Sequence, residues 1–394
     1  MNYNHGGDIY GNKVILDFSV NINPLGMPDS AKEAAIKGVE LSTGYPDWDQ
    51  RELGEALSKY LDVPGEDILF GNGASDLIYR LMMVLKPKEA LIPAPSFSEY
   101  RSAAEKAGAK VLDYILREED SFSFTDDTVA TFVDRIEHLA AGSAVFLCNP
   151  NNPDGSIIPK DKLIQISEAC EKRSVWLIVD ECFLSFCGKE NELTMLRRIA
   201  DSGPGLRNVI SNIKPTGFSG IKDVETDTTE NIETHWVVLR AFTKIFGMPG
   251  LRLGYIVTEN HGLIRAVRET MTPWEINVPA QMAGAAALKD ESFIEKTRRT
   301  IVQERKYLIS EIQKNGLAEK IYNPDSEANF ILFRVSKKDI NLKERLLEKG
   351  ILIRSCEDFV GIDERYFRIC VRTHEENIEL ISEWKAVSSK QVLI

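Results

Sequence analysis

Two residues in this chain stand out for the chemistry they could do, a lysine and an arginine eight positions apart. In Ala241-Phe-Thr-Lys-Ile-Phe-Gly-Met-Pro-Gly-Leu-Arg-Leu-Gly-Tyr255, Lys244 follows a strand-like apolar run and Arg252 follows a Gly/Pro-rich turn. An amine held at a strand end can attack a carbonyl carbon. A guanidinium offers a fork of donors suited to phosphate oxygens. Alone, the pair is more simply read as ordinary surface residues around a turn.

Three further segments, in chain order, change its meaning. Leu69-Phe-Gly-Asn-Gly-Ala-Ser-Asp-Leu-Ile78 runs from a strand end through glycines into a helical pattern beginning near Ser75. Unpaired N–H groups at a helix start favour an anion, and Gly71 and Gly73 let the backbone approach it. A plain helix start capped near Ser75 or Asp76 explains the same residues, and both readings can hold. Val145-Phe-Leu-Cys-Asn-Pro-Asn-Asn-Pro-Asp-Gly155 ends a buried-strand run in polar turn residues. That is where ligands gather on a parallel sheet, and it puts an amide donor at Asn152, although these residues also simply form turns. Ser174-Val-Trp-Leu-Ile-Val-Asp-Glu-Cys-Phe183 delivers a carboxylate, Asp180, at the end of a continuous apolar strand. The four segments together suit pyridoxal 5'-phosphate. Lys244 would hold the aldehyde as a Schiff base, Asp180 would keep the pyridine nitrogen protonated, Asn152 would donate to the ring oxygen and Arg252 would reach the phosphate.

With these segments the chain resembles fold-type I pyridoxal-phosphate enzymes of the class I/II aminotransferase superfamily. Within it, the sequence is most similar to the branch holding threonine-phosphate decarboxylase and histidinol-phosphate aminotransferase. The resemblance extends from His5-Gly-Gly7 and Asp17-Phe-Ser-Val-Asn-Ile-Asn-Pro-Leu-Gly26 to Leu352-Ile-Arg-Ser-Cys356 and Tyr366-Phe-Arg-Ile-Cys-Val-Arg-Thr373. It implies that Gly73, Ala74, Ser75 and Arg252 surround the phosphate, with Thr243 directly before Lys244. It implies that Phe97 stacks on the cofactor ring and that Tyr45 reaches the phosphate of a neighbouring subunit, so that the site is shared across a homodimer. Arg354 and Arg368 fall where similar enzymes bind substrate anions, with Asn23 and His5 as further substrate-binding candidates and Arg372 a weaker one.

Two departures from the family pattern separate the possible reactions. Phe183 stands three residues after Asp180 where aminotransferases usually carry a tyrosine, and Ala241 replaces a hydroxyl residue three before the lysine. Both features, with the amino-terminal His-Gly-Gly, read more like the decarboxylase branch. The bond that breaks is the one standing perpendicular to the cofactor ring, so substrate-binding arginines select the reaction. An arginine clamping the α-carboxylate near the ring plane favours transamination, whereas arginines directed to a remote phosphate leave the carboxylate free to depart. The expected activity is decarboxylation of a phosphorylated amino acid, foremost O-phospho-L-threonine giving an aminopropanol phosphate for cobalamin. O-Phosphoserine and transamination of histidinol phosphate with 2-oxoglutarate are the alternatives. A catalytically idle sensor domain would need a basic DNA-binding segment, and none precedes residue 40.

The elements that must position these residues follow from the apolar pattern. Strand-like runs at 66–70, 89–93, 143–148, 174–179, 235–240 and 252–257 alternate with helical patterns at 75–86, 97–107 and 160–172. This alternation predicts an α/β fold with a mostly parallel sheet covered by helices on both faces. At 394 residues the chain exceeds one ordinary core. A large cofactor-binding domain over 41–289 and a smaller α+β domain from 1–40 and 290–394 are expected. The run from Ser292 to Lys314, with Ile294, Ile301, Leu308 and Ile312 on one face, reads as a helix joining them. Residues 203–233, acidic and without apolar period, read as a loop insertion. The net charge of −12 repels nucleic acid and anionic lipid, so an anionic substrate needs a local cluster of arginines. Six cysteines without paired-motif spacing and five scattered histidines argue for a cytoplasmic protein with no metal site, and no apolar run is long enough to span a membrane.

Overall fold

The computed structural model describes residues 6–11, 13–197 and 234–389. His5 and the 203–233 segment lie outside the described residues.

A seven-stranded sheet forms the centre of the molecule. Its strands are β2 (Ile68–Gly71), β3 (Glu89–Ala94), β4 (Lys110–Ile115), β5 (Ala144–Cys148), β6 (Trp176–Asp180), β7 (Trp236–Ala241) and β8 (Gly254–Val257), in the order β2-β8-β7-β6-β5-β3-β4. From β4 through β7 every pairing is parallel, while β8 runs antiparallel to both of its neighbours. Alternate residues of β5 and β6 go to opposite faces. Val145, Leu147, Leu177 and Val179 pack with Phe132, Ile136, Leu163 and Ile166, whereas Ala144, Phe146 and Ile178 pack with Leu77, Leu81, Tyr100 and Leu263. Burial on both faces is why these strands are continuous apolar runs. The helix Lys160–Lys172 has the expected bounds, and Ala74–Leu85 and Ser98–Lys106 differ from expectation by a residue at each end.

One expected strand shifts and one strand was not expected, each for a local reason. β8 begins at Gly254 because Arg252, at φ +58°, leaves the extended region and turns the chain. β4 has no counterpart in the expected set. It lies at the sheet edge, where Lys110, Asp113 and Ile115 are not buried and the apolar signal is weak.

A second, four-stranded antiparallel sheet has the order β12-β13-β10-β9, from β9 (Lys320–Ile321), β10 (Phe330–Arg334), β12 (Arg354–Ser355) and β13 (Tyr366–Cys370). Near the amino terminus β1 (Leu16–Asp17) pairs in parallel with β11 (Ile351–Leu352), and Cys370 N donates to Phe18 O at 2.9 Å. This stitching brings Ser19 and Asn23 toward the carboxyl ends of the central strands. The helix Glu291–Lys314 starts one residue before its expected position, capped by Asp290, whose side chain accepts from Phe293 N. Its Ile294, Ile301, Leu308 and Ile312 are buried as the spacing implied. Among the described residues no helix is long and apolar enough to cross a membrane, and no group of three or more His, Cys, Asp or Glu is placed to hold a metal.

Candidate active site

The carboxyl ends of β5, β6 and β7 deliver the chemistry side by side. The register pairs Cys148 with Asp180 and Asp180 with Leu239, so the Asn149–Gly155 turn, the carboxylate and the loop holding Lys244 leave the sheet at one edge. Ligands collect at such an edge in open α/β sheets.

Lys244 is half-buried, and its Nζ lies 5.6 Å from the centre of the Phe183 ring. Loss of hydration lowers the amine to about 8, and the charge of Arg368 works in the same direction. A lysine in this range keeps an appreciable neutral, nucleophilic fraction near neutral pH, unlike an ordinary lysine. We therefore expect the apoenzyme to capture the aldehyde of pyridoxal phosphate at a rate that rises with pH around a midpoint near 8, because only the neutral amine attacks. Stopped-flow absorbance measures this, and a midpoint near the ordinary lysine value of 10.5 contradicts it.

Asp180 is buried, and burial raises its pKa against the opposing effect of its hydrogen bonds. Oδ1 accepts from Cys182 N at 2.9 Å and Oδ2 from the Tyr100 hydroxyl at 2.7 Å. Among the described residues it has no salt bridge, so a protonated ring nitrogen would be its natural counter-charge. Tyr100 escaped the sequence reading. It stacks on Phe146 with centroids 4.9 Å apart and meets Phe97 edge-on at 5.6 Å. Its place three residues after Phe97, one turn along the helix, was the available signal.

The candidate anion cradle is a helix start with free backbone N–H groups. The helix Ala74–Leu85 starts one residue earlier than expected, with Gly73 rather than Ser75 or Asp76 as its N-cap and no side-chain cap on its first N–H groups. Asp76 instead accepts from Asn72 N and pairs with Arg80. Gly73 sits at φ +87° and ψ 167°, a region accessible essentially to glycine. A Cβ there would lie 2.6 Å from Arg252 Nη2, and one on Gly254 would lie 2.7 Å from Ala74 N. Arg252 is thus pressed against the helix start, donating to Pro249 O at 3.0 Å and Asn72 O at 3.3 Å. Gly73→Ala is expected to cost about 1–3 kcal/mol of stability and to weaken binding of the phosphate-bearing cofactor by roughly tenfold. Thermal unfolding and cofactor titration test both parts, and unchanged cofactor affinity contradicts the second.

Asn152 is buried, and its amide oxygen accepts from Arg368 Nη1, which leaves the amide nitrogen as the donor for another partner. Arg368 Nη2 donates to Ser19 O at 2.8 Å, while Nε has no hydrogen-bond partner among the described residues. Burial lowers this guanidinium to about 10. Arg354 is its register partner on the adjacent strand and is also buried. Arg372 is drawn elsewhere, to Asp17 O and Glu376.

Three assigned residues sit differently from the rest. Asn23 donates to Ile245 O at 2.6 Å and Thr297 Oγ1 at 2.8 Å, and its Oδ1 accepts from Leu25 N. With both ends of its amide taken, it braces the lysine loop rather than offering a free donor to substrate. Tyr45 is 81 % exposed and stacks on Trp274 at 4.5 Å, outside this cluster of one chain. Thr243 is half-buried beside Lys244. A further support that sequence reading did not find is Arg240, buried four residues before the lysine, which bridges Glu181 and Glu190 and holds the strand ends together.

A desolvated amine, a buried carboxylate lacking a salt-bridge partner and a glycine-lined helix start backed by arginine fit pyridoxal phosphate. The sequence model of the family described as Aminotransferase class I and II matches residues 13–383. The chain is 33% identical to threonine-phosphate decarboxylase of Salmonella typhimurium, over 98% of this chain and 97% of that protein. It is 30% identical to histidinol-phosphate aminotransferase of Ruminiclostridium cellulolyticum, over 95% and 92%. The crystal structure of the histidinol-phosphate aminotransferase from Clostridium acetobutylicum superimposes with a TM-score of 0.78 at 30% identity, covering 95% of this chain and all (100%) of that one. From the matched residues and the shared fold, this chain belongs to the aminotransferase class I and II family and is a pyridoxal-phosphate-dependent enzyme.

Proposed function

We propose that the enzyme decarboxylates a phosphorylated amino acid, foremost O-phospho-L-threonine, yielding an aminopropanol phosphate suited to the side chain of cobalamin. The observation that carries this reading is the register pairing of Arg354 and Arg368 on adjacent strands, both buried, with Arg368 donating to Asn152 in the turn that follows β5. Two guanidinium groups suit a dianionic phosphate better than a single carboxylate. The similarity to threonine-phosphate decarboxylase over nearly the whole length of both chains supports it further.

The bound cofactor supplies an aldehyde carbon and a ring that accepts an electron pair. In this reading the N–H groups of Ala74 and Ser75, with Arg252, hold its phosphate, and Phe97 covers a ring face. Asp180, fixed by Tyr100 and Cys182 N, holds a proton on the ring nitrogen. Asn152, its oxygen occupied by Arg368, presents its amide N–H to the ring oxygen. Phe183 cannot add a second donor there. Its ring instead meets Phe330 edge-on at 5.0 Å, giving an apolar wall beside Lys244. Such a wall disfavours a bound carboxylate relative to departing neutral carbon dioxide. Lys244 then returns a proton to the substrate carbon. Tyr45 is assigned to the partner's phosphate in a homodimer, consistent with its exposure in a single chain. The smaller unit of the chain, holding Arg354 and Arg368, is assigned to substrate binding and the unit of the central sheet to the cofactor.

The test is incubation of the purified holoenzyme with O-phospho-L-threonine, O-phosphoserine or histidinol phosphate, with and without 2-oxoglutarate. Carbon dioxide release from phosphothreonine without any keto acid is expected. Turnover that strictly requires 2-oxoglutarate contradicts the reading and supports the transaminase alternative.

A further inference from the structure

The two arginines assigned to the substrate anion are not equivalent. Among the described residues Arg368 donates only to neutral oxygens, those of Asn152 and Ser19, and pairs with no carboxylate. Arg354 already holds an anion. Its Nη2 donates to both carboxylate oxygens of Asp358, at 2.8 and 2.6 Å, while Nη1 donates to Ser355 O at 2.6 Å. The guanidinium also lies over the Phe359 ring at 5.4 Å. Asp358 belongs to the turn between β12 and β13, and its side chain is 27% exposed against 6% for Arg354. The carboxylate can therefore rotate toward water while the guanidinium stays fixed in the sheet.

Resting on the reading of Arg354 as a ligand of the substrate phosphate, we infer that Asp358 is a specificity-determining residue, an internal counterion that an incoming anion must displace. The consequence is a threshold. A phosphate ester brings close to two charges and three acceptor oxygens at neutral pH, enough to replace one carboxylate on Arg354. An amino acid with a neutral side chain leaves the Arg354–Asp358 pair intact and gains nothing from this arginine. Selectivity arises from the competing group as much as from the attractive one.

The inference is tested on the holoenzyme by titrating O-phospho-L-threonine and L-threonine and following cofactor absorbance in the wild type, Asp358→Asn, Asp358→Ala, Arg354→Gln and the Asp358→Asn/Arg354→Gln double variant. Removing the counterion is expected to tighten phosphothreonine binding by about tenfold while leaving threonine unchanged. The gain should vanish in the double variant, because Asp358 acts only through Arg354. A purely structural role predicts weaker binding of both ligands. Phosphothreonine affinity that stays constant or falls in both Asp358 variants, or a gain that persists without Arg354, overturns the inference. If Arg354→Gln weakens phosphothreonine but the Asp358 variants do not tighten it, the counterion role alone fails. If Arg354→Gln leaves phosphothreonine affinity unchanged, the assignment of Arg354 to the phosphate fails with it.

Discussion

Replacing Lys244 with alanine is expected to reduce turnover by at least about 10³-fold while leaving the protein folded. Under the proposed function two contributions disappear together. The amine that captures the cofactor aldehyde is lost, and so is the group that returns a proton to the substrate carbon, a role worth roughly 10²–10⁴-fold by itself. The fold does not depend on the amine. It is the backbone carbonyl of Lys244 that accepts from Asn23 N at 3.3 Å and Gly247 N at 3.2 Å, and alanine keeps that carbonyl. Burial already penalises the charged amine, so its removal costs the fold little. Product formation from phosphothreonine measures the effect, with thermal unfolding as the control. A wild-type rate in the variant would exclude Lys244 from the chemistry.

The second large effect is expected at Asp180. Asp180→Asn preserves size, and its amide oxygen can still accept from either Tyr100 or Cys182 N, so packing around the strand end survives. A neutral amide, however, cannot stabilise a protonated ring nitrogen. Loss of a charge-assisted hydrogen bond in a buried site costs about 3 kcal/mol, roughly a hundredfold in kcat. The loss should appear in kcat at saturating cofactor and substrate, accompanied by a changed absorbance of the bound cofactor. Unchanged kcat with unchanged absorbance would show that Asp180 does not face the ring nitrogen.

How much of this was legible beforehand depended on whether a residue's role is set locally. β5, β6 and β7 are predominantly apolar because both faces are covered, so a mostly parallel sheet with helices on both faces followed from the pattern. The helix Lys160–Lys172 and the buried face of Glu291–Lys314 were read for the same reason. β4 was hidden by its half-exposed edge position, and β8 was overextended because the left-handed turn at Arg252 has no signature in an arginine. At the site, the convergence of Gly73 with Arg252 was suggested by the glycine-bearing helix start and the arginine both reading as phosphate ligands. Contacts between distant segments were not. The Tyr100–Asp180 bond spans 80 positions and the Asn23–Ile245 bond 222, and neither side chain carries a local mark of its partner. Arg354 and Asp358 are only four apart, yet their pairing depends on a turn whose geometry the sequence does not reveal.

The proposed function depends most on Lys244 as the attachment point of the cofactor. Borohydride reduction of the holoenzyme, followed by peptide mass mapping, tests it directly. A reduced pyridoxyl phosphate adduct on the peptide containing Lys244, and on no other lysine, is the predicted result. No adduct, or one on a different lysine, would contradict it.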